Sequence, residues 1–439
     1  MPYCTVGAIA LGDDGVARVD LEECVECGAC LRAGVCPSDA FFMQEVEWPR
    51  TLRAQFSDPL GVHPKTGIPG RGTEEIKTND VTERVKPGYA GIAVEVGRPT
   101  VGTRLSEVEK IAMALSKIGV EHEPANPVTF LMTDLSTGKM QDEVLNEKVL
   151  SAIVEFIVPQ SKVVEVLDTL RAVAPEVDTV FSVDLAVRYE PDGSVPIERI
   201  VKDAGFYLAP NGKTNIGMVT HVAAREGRTK MTHTNHRRGT VEDLSRDYVF
   251  TTMASKGVNV PGTGERMKKF YEIVMKYNPA FMGDAAKGNQ LTYGVKAMLE
   301  DSDDKTIGHA VFRDADTVAA VIKDLMDAGF DRSVVVSGLF DNVRESCKKA
   351  GIGTPHTIEY SLGTWGKTEK LPPMEELEVM TMCGHAQVPG ALVRHMAEQV
   401  KSGRLTAEDA GLRLGRQCMC GVFNVARAAE LVAAMAARS

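Results

Sequence analysis

No stretch of this chain stays apolar for the ~20 residues that a membrane-crossing helix needs; charge interrupts every long hydrophobic run. Positive charge is in deficit. The 50 Lys and Arg face 60 Asp and Glu, and the net charge of -10 argues against nucleic acid or an anionic membrane as the main partner. The opening Met1-Pro2-Tyr3-Cys4 has no basic segment followed by an apolar core, so no secretory leader is expected and the expected compartment is the cytoplasm. The glycines between 56 and 90 lack the strand before and the helix after that a Walker or dinucleotide loop requires. Tryptophan is scarce, and Trp365, one of two, reads as core packing rather than as a platform for a ligand.

What the chain does have is cysteine, unevenly placed. Of nine, five fall in the first 36 residues, and Cys383, Cys418 and Cys420 lie near the C-terminus, with Cys347 apart. In a reducing compartment these are not disulfide partners. Cys24-Val25-Glu26-Cys27-Gly28-Ala29-Cys30 is a C-x2-C-x2-C run, followed by Cys36-Pro37. Soft thiolates suit iron bridged by sulfide, and two-residue spacing lets one loop reach three irons of a cube. Gly28 permits the tight backbone this needs. A zinc knuckle or buried structural thiols are the plainer alternatives, and the spacing favours a [4Fe–4S] cluster.

The first 45 or so residues resemble the bacterial ferredoxins, on this run, on Cys4 to Ile9 and on Cys36 to Phe41. The chain departs from that pattern by lacking a first-half C-x2-C-x2-C run. Thr5 stands where Pro would follow the cysteine, and five residues separate Cys30 from Cys36 where the family has three. The family's crossed ligation implies Cys4, Cys24, Cys27 and Cys30 as ligands. Cys36 is then a leftover buried thiol, or the longer loop lets it replace Cys4.

The length of 439 residues suggests two to four domains. The expected class is α/β, or α+β multidomain. Residues 1–55 form the ferredoxin-like cluster domain and 56–87 a Gly/Pro-rich loop, in which Arg71, Lys77 and Arg84 either face an anion or belong to a plain linker. Residues 88–225 read as an ACT-like α/β sandwich, with strands at 91–97, 127–132, 152–158 and 179–187, a helix capped by Ser106 and Glu109, and a second helix from Val163. Residues 226–305 read as mostly helical. Residues 306–372 read as a small parallel α/β unit with a helix capped by Asp341, and 373–439 as a helical Cys-containing region.

Two constellations outside the cluster loop carry chemistry. Cys383-Gly384-His385 and Cys418-Met419-Cys420-Gly421 both lie near expected helix starts, where thiolate is favoured. They form a candidate catalytic centre of Cys383, His385, Cys418 and Cys420, holding a second iron–sulfur cluster or zinc, with His385, Cys347 or substrate completing it. The second is Thr232 to Arg238, where His233, His236, Arg237 and Arg238 form a candidate seat for a small anionic substrate; the alternative is an exposed basic loop.

The whole chain is similar to a group of iron–sulfur proteins of anaerobic bacteria, the 6-hydroxynicotinate reductase type, through the ferredoxin loop, Gly70 to Glu75, Met382 to His385 and Cys418 to Asn424. That resemblance implies an oxidoreductase passing low-potential electrons from a donor such as ferredoxin to a small anionic substrate, an N-heteroaromatic carboxylate. A non-enzymatic carrier or redox sensor, and an iron–sulfur lyase, are the rival functions. Nothing in the sequence decides whether flavin takes part.

Overall fold

A computed structural model of the protein describes residues 2–65, 67, 78–219, 234–255 and 259–438. Among these, no helix is long and apolar enough to cross a membrane. Residues 2–58 are mostly loop. Ile9–Leu11 pairs antiparallel with Ala17–Val19, the cysteine loop follows, and Ala29–Arg32 makes one helical turn. The helix Thr51–Ser57 then turns the chain toward the body of the protein.

That body is organised by one ten-stranded sheet. Its strands are β1 (Tyr89–Val96), β2 (Ala152–Pro159), β3 (Val180–Arg188), β4 (Asn211–Asn215) and β5 (Tyr248–Met253). They continue with β6 (Phe281–Asp284), β7 (Gly288–Asn289), β8 (Gly308–Phe312), β9 (Ser333–Leu339) and β10 (Thr357–Gly366). The spatial order is β7-β6-β8-β5-β9-β4-β10-β3-β1-β2. Every pairing in it is antiparallel.

The helices follow from apolar periodicity. In α1 (Leu105–Lys117), Leu105, Val108, Ile111, Ala112 and Leu115 are buried, three or four residues apart in the main. With α2 (Val163–Val173) it covers Ile92, Val94 and Val96 of β1 and Phe181, Val183 and Leu185 of β3. The other half of the sheet is covered on both sides. Helices α3 (Gly264–Met275), α4 (Ala315–Asp327) and α5 (Phe340–Ala350) pack on Phe250, Ala310 and Val336. Helices α6 (Met374–Met380), α7 (Gly390–Lys401), α8 (Ala407–Gln417) and α9 (Val425–Arg438) pack on Val249, Phe281 and Val311. Adjacent strand residues thus serve opposite cores, as the strand period of two requires.

The α/β expectation therefore holds at the level of mixed helices around a large sheet, and several finer expectations do not. The unit read as parallel at 306–372 is not one. β8 and β9 run in the same direction but flank the antiparallel β5, and β9 and β10 likewise flank β4. A helix joining two strands looks the same in sequence whether or not a third strand slips between them. The segment 226–305, read as mostly helical, supplies β5, β6 and β7. The strand read at 127–132 is instead a 3-10 turn at Thr129–Leu131. Glu109 accepts from the Met140 amide rather than closing a box with Ser106, and α1 has Arg104 at its N-cap without a side-chain cap. Asp341 lies inside α5, whose cap is Leu339, although Gly351 does end it in the left-handed conformation at φ 95°.

Candidate functional sites

The hairpin and the cysteine loop fold around one cavity. Cys4, Cys24, Cys27 and Cys30 all line it, together with Thr5, Val6, Ala8 and Gly28. Its volume is about 140 Å3, against the ~30 Å3 share of one water. Gly28 sits at φ 68°, a left-handed turn in which an added Cβ would meet the Arg32 guanidinium. The Ala8 amide donates to Cys4 Sγ at 3.1 Å, and the Thr5 hydroxyl lies 3.4 Å from Cys27 Sγ. Burial pushes the Cys24, Cys27 and Cys30 thiols up, so the protein alone keeps them protonated, and a bound metal would have to supply the positive charge that removes those protons. The donor set and the space fit a [4Fe–4S] cluster. Cys36 is not on the cavity wall. It is not a buried thiol either: it contacts Ser38 Oγ and accepts from the Ala40 amide, and these contacts lower its thiol pKa.

The three C-terminal thiols converge although 35 residues separate Cys383 from Cys418, as they do His385 from Cys420. Cys418 and Cys420 Sγ are 3.8 Å apart, and His385 Nδ1 lies 3.6 Å from Cys420 Sγ. Cys383 lies within hydrogen-bonding reach of Cys418. All three thiols are buried in the core beneath α6–α9. The turn carrying Cys420 presses on β6, where a Cβ on Gly283 would meet the Cys420 carbonyl at 2.6 Å and one on Gly421 would meet the Gly283 amide at 2.4 Å. The expected helix starts are not there. Cys418 caps the C-terminal end of α8, and Cys383 follows the end of α6. A helix C-terminus disfavours thiolate, and burial, with Cys383 and Cys420 beside it, pushes Cys418 well above its usual value. Cys347 is elsewhere, in the core under α5, where burial pushes its thiol to about 12.

The two thiol regions touch. Arg32 donates to the Cys27 carbonyl and, at 2.8 Å, to Gln387 Oε1, while the Gln387 amide donates to the His385 carbonyl at 3.1 Å. Ala386 packs with Val25, Cys27 and Ala29.

A third cluster lies on the polar face of β1 and β3. His236 Nε2 is 3.2 Å from Asp184 Oδ2 and 3.3 Å from Glu95 Oε2, and His236 Nδ1 is 2.7 Å from Ser361 Oγ. Burial works against protonation of His236, but Asp184 and then Glu95 overcome it and raise its pKa to about 10. His236 lines a small cavity of about 30 Å3 with Arg98, Thr100, Cys383 and Ala386. Thr100 at φ 59° and Ala386 at φ 54° are both held left-handed on its walls, a strain of about 1–3 kcal/mol each that non-glycine residues show mainly at functional positions.

Of the expected anion seat, then, only part survives. His233 lies outside the described residues, as do Arg71, Lys77 and Gly70 to Glu75. Arg237 does not face a substrate. It is buried against Asp247 and donates to the carbonyls of Met382 and Val422, bracketing the two thiol segments. Although burial works the other way, Arg237 and Arg427 hold the Asp247 carboxyl below the usual range. Arg238 reaches Thr364 Oγ1 at 2.6 Å, and its backbone amide donates to Thr381. Arg84 is paired with Glu123. Trp365 stacks on Phe206 at 5.8 Å, as core packing requires. Glu95, Asp184 and Arg98 were missed. Their signal was a lone carboxylate inside an apolar strand, Val94-Glu95-Val96 and Val183-Asp184-Leu185, because buried acids need partners. No family model, curated protein or solved structure matches this chain.

Proposed function

We propose that the protein is an iron–sulfur oxidoreductase, in which a [4Fe–4S] cluster held by Cys4, Cys24, Cys27 and Cys30 takes low-potential electrons from a donor protein and passes them toward the C-terminal centre. The observation that carries this reading is the shared cavity of those four thiols, with Cys36 outside it. The cluster supplies one-electron transfer when bound. The chain's own residues do the rest. Arg32 and Gln387 join the cluster loop to the His385 segment, so the two centres are adjacent rather than separate modules. His236, paired with two carboxylates, lines the cavity beside Cys383 and is an imidazolium as long as no ion takes its Nε2. The cavity of about 30 Å3 that Arg98 and His236 line is too small for an N-heteroaromatic carboxylate, so that choice of small anionic substrate rests on the resemblance alone.

The donor would dock around the cluster loop. Leu11, Val16, Val19, Leu21, Phe42 and Met43 are exposed there, and residues 1–48 hold nine acidic side chains against two basic ones, Arg18 and Arg32. An apolar patch in an acidic field suits a partner with an apolar centre and a basic rim.

The three buried thiols with His385 also favour a second reading of the C-terminal centre, a closed four-coordinate zinc. Iron, zinc and acid-labile sulfide measured on anaerobic protein separate the two. The same assay tests the main proposal. Cys4→Ala, Cys24→Ala, Cys27→Ala and Cys30→Ala should each lose the N-terminal cluster or leave a three-iron form, and Cys36→Ala should keep it. Retention in Cys4→Ala with loss in Cys36→Ala would overturn the ligand assignment. Absence of sulfide from the wild type would overturn the function.

A further inference from the structure

We propose that Glu95, Asp184 and His236 bind a divalent transition-metal cation through oxygen and nitrogen, at a third centre distinct from both thiol sets. One ligand atom from each residue lies within 4.8 Å of the other two. Ligands at ~2.1 Å around one ion stand within about 4.2 Å of each other, so the contacts of 3.2 and 3.3 Å already fit, and the two carboxylate oxygens lie no more than 4.8 Å apart. Two carboxylates and an imidazole suit manganese, iron(II) or zinc rather than a thiophilic ion.

The sheet itself sets the carboxylates side by side. Asp184 pairs with Ala93 in the β1–β3 register, and Glu95 stands two residues along β1 on the same face. Both acids are almost fully buried, at 0% and 1% exposure. In the ion-free protein Arg98 and a protonated His236 balance the two buried carboxylates; a divalent cation would take the place of the proton on His236 Nε2 and supply the balancing charge itself.

Each ligand is also braced from behind, as ligands of bound metals are. The Ser361 hydroxyl lies against His236 Nδ1, which leaves Nε2 to the cluster. The Asn235 amide donates to Asp184 Oδ1, which leaves Oδ2. Arg98 donates to Glu95 Oε2, the oxygen 3.3 Å from His236 Nε2, and so holds the carboxylate in place, while Glu95 Oε1 accepts no hydrogen bond among the described residues and is a second lone-pair donor open to the ion. The 30 Å3 cavity beside His236 has room for about one water to complete the coordination.

The test uses the full chain, purified anaerobically with its iron and washed with chelator. Mn2+ is titrated in and its free EPR signal followed, with circular dichroism as the folding check. The wild type should retain one Mn2+ per chain. Glu95→Gln and Asp184→Asn should abolish retention, and Ser361→Ala should weaken it by about tenfold, the lower end for a supporting partner. Cys420→Ala should retain Mn2+ unchanged. Ser361→Ala keeps the test decisive if the buried acid variants do not fold. No Mn2+ retained by the wild type would overturn the proposal, as would affinity unchanged in folded Ser361→Ala, or loss in Cys420→Ala. Iron and sulfide content, measured on the same samples, reads the N-terminal cluster separately, so failure here leaves that assignment standing.

Discussion

Cys24 and Cys30 line an open-sided cavity rimmed by exposed apolar side chains, whereas Cys418 and Cys420 lie beneath four helices and are almost wholly shielded from solvent. The donor atoms are the same and the surroundings are opposite. In the first region a partner can approach the thiols closely, at the cost of exposed hydrophobic surface. In the second, access is given up and the sulfurs gain a fixed mutual geometry, held by Arg237, by Asp247 and by the glycine contact of β6. The difference teaches that one residue type can serve access in one region and fixed geometry in another, and under the proposed function these are the demands of electron entry and of chemistry.

The strongest way to break this contrast is to remove the bracket. Arg237→Ala leaves Asp247 with Arg427 and the Asn424 amide and strips the Met382 and Val422 carbonyls of the Arg237 donor. Losing one partner of a buried ion pair should cost about 3–5 kcal/mol. Chemical denaturation should show that loss, with the N-terminal cluster still present in the folded fraction. A loss below about 1 kcal/mol, together with weakened substrate binding, would return Arg237 to the anion seat.

How much of this was legible in the sequence depends on the kind of signal. The C-x2-C-x2-C spacing pointed to Cys24, Cys27 and Cys30, which the structure gathers on one cavity wall, because thiols two residues apart are brought together locally. The helices α1, α2 and α5 and the strands β1, β2 and β3 were legible from apolar pattern and end signals. β4 was not. Asn211-Gly212-Lys213-Thr214-Asn215 carries no apolar residue, yet every one of its positions is buried, and Lys213 pairs with Glu359 at 3.0 Å in the sheet interior. A polar strand at the centre of a sheet has no hydrophobic pattern to read, and missing it turned an antiparallel interleaving into an apparent parallel unit. Arg237 and Arg238 looked alike in sequence, because burial, which separates their roles, is set by segments about 145 and 185 residues away.

Thiol labelling sharpens the contrast without perturbing it. Ser38 and the Ala40 amide lower the Cys36 pKa, while burial raises that of Cys418. The thiolate is the species that alkylates. Iodoacetamide on intact anaerobic protein should therefore modify Cys36 first. Cys4, Cys24, Cys27 and Cys30 should follow only after cluster removal, and Cys418 and Cys420 only on unfolding, as peptide mass mapping reads out. Labelling of Cys4 as fast as Cys36 in the intact protein would remove Cys4 from the ligand set.

The smallest expected effect concerns the docking surface. Phe42 is 75% exposed and sits with Met43 on the rim of the cluster cavity. Such exposure has no stability rationale, so Phe42→Ser should leave the melting temperature and iron content unchanged. Truncating one apolar contact at a protein interface costs on the order of 1 kcal/mol when that contact matters, which is about fivefold in affinity. Reduction by a basic-rimmed donor protein should then show a Michaelis constant about fivefold higher with an unchanged rate at saturation. Reduction by dithionite, which needs no docking, should not change. The acidic field adds a second signature, since steering between opposite charges weakens as salt shortens the Debye length from about 30 Å at 0.01 M to 10 Å at 0.1 M. Wild type and Phe42→Ser should lose rate in parallel as salt rises, because the substitution alters contact and not charge. A rate insensitive to both salt and the substitution would mean that electrons enter elsewhere, and the open N-terminal region would lose its assigned role.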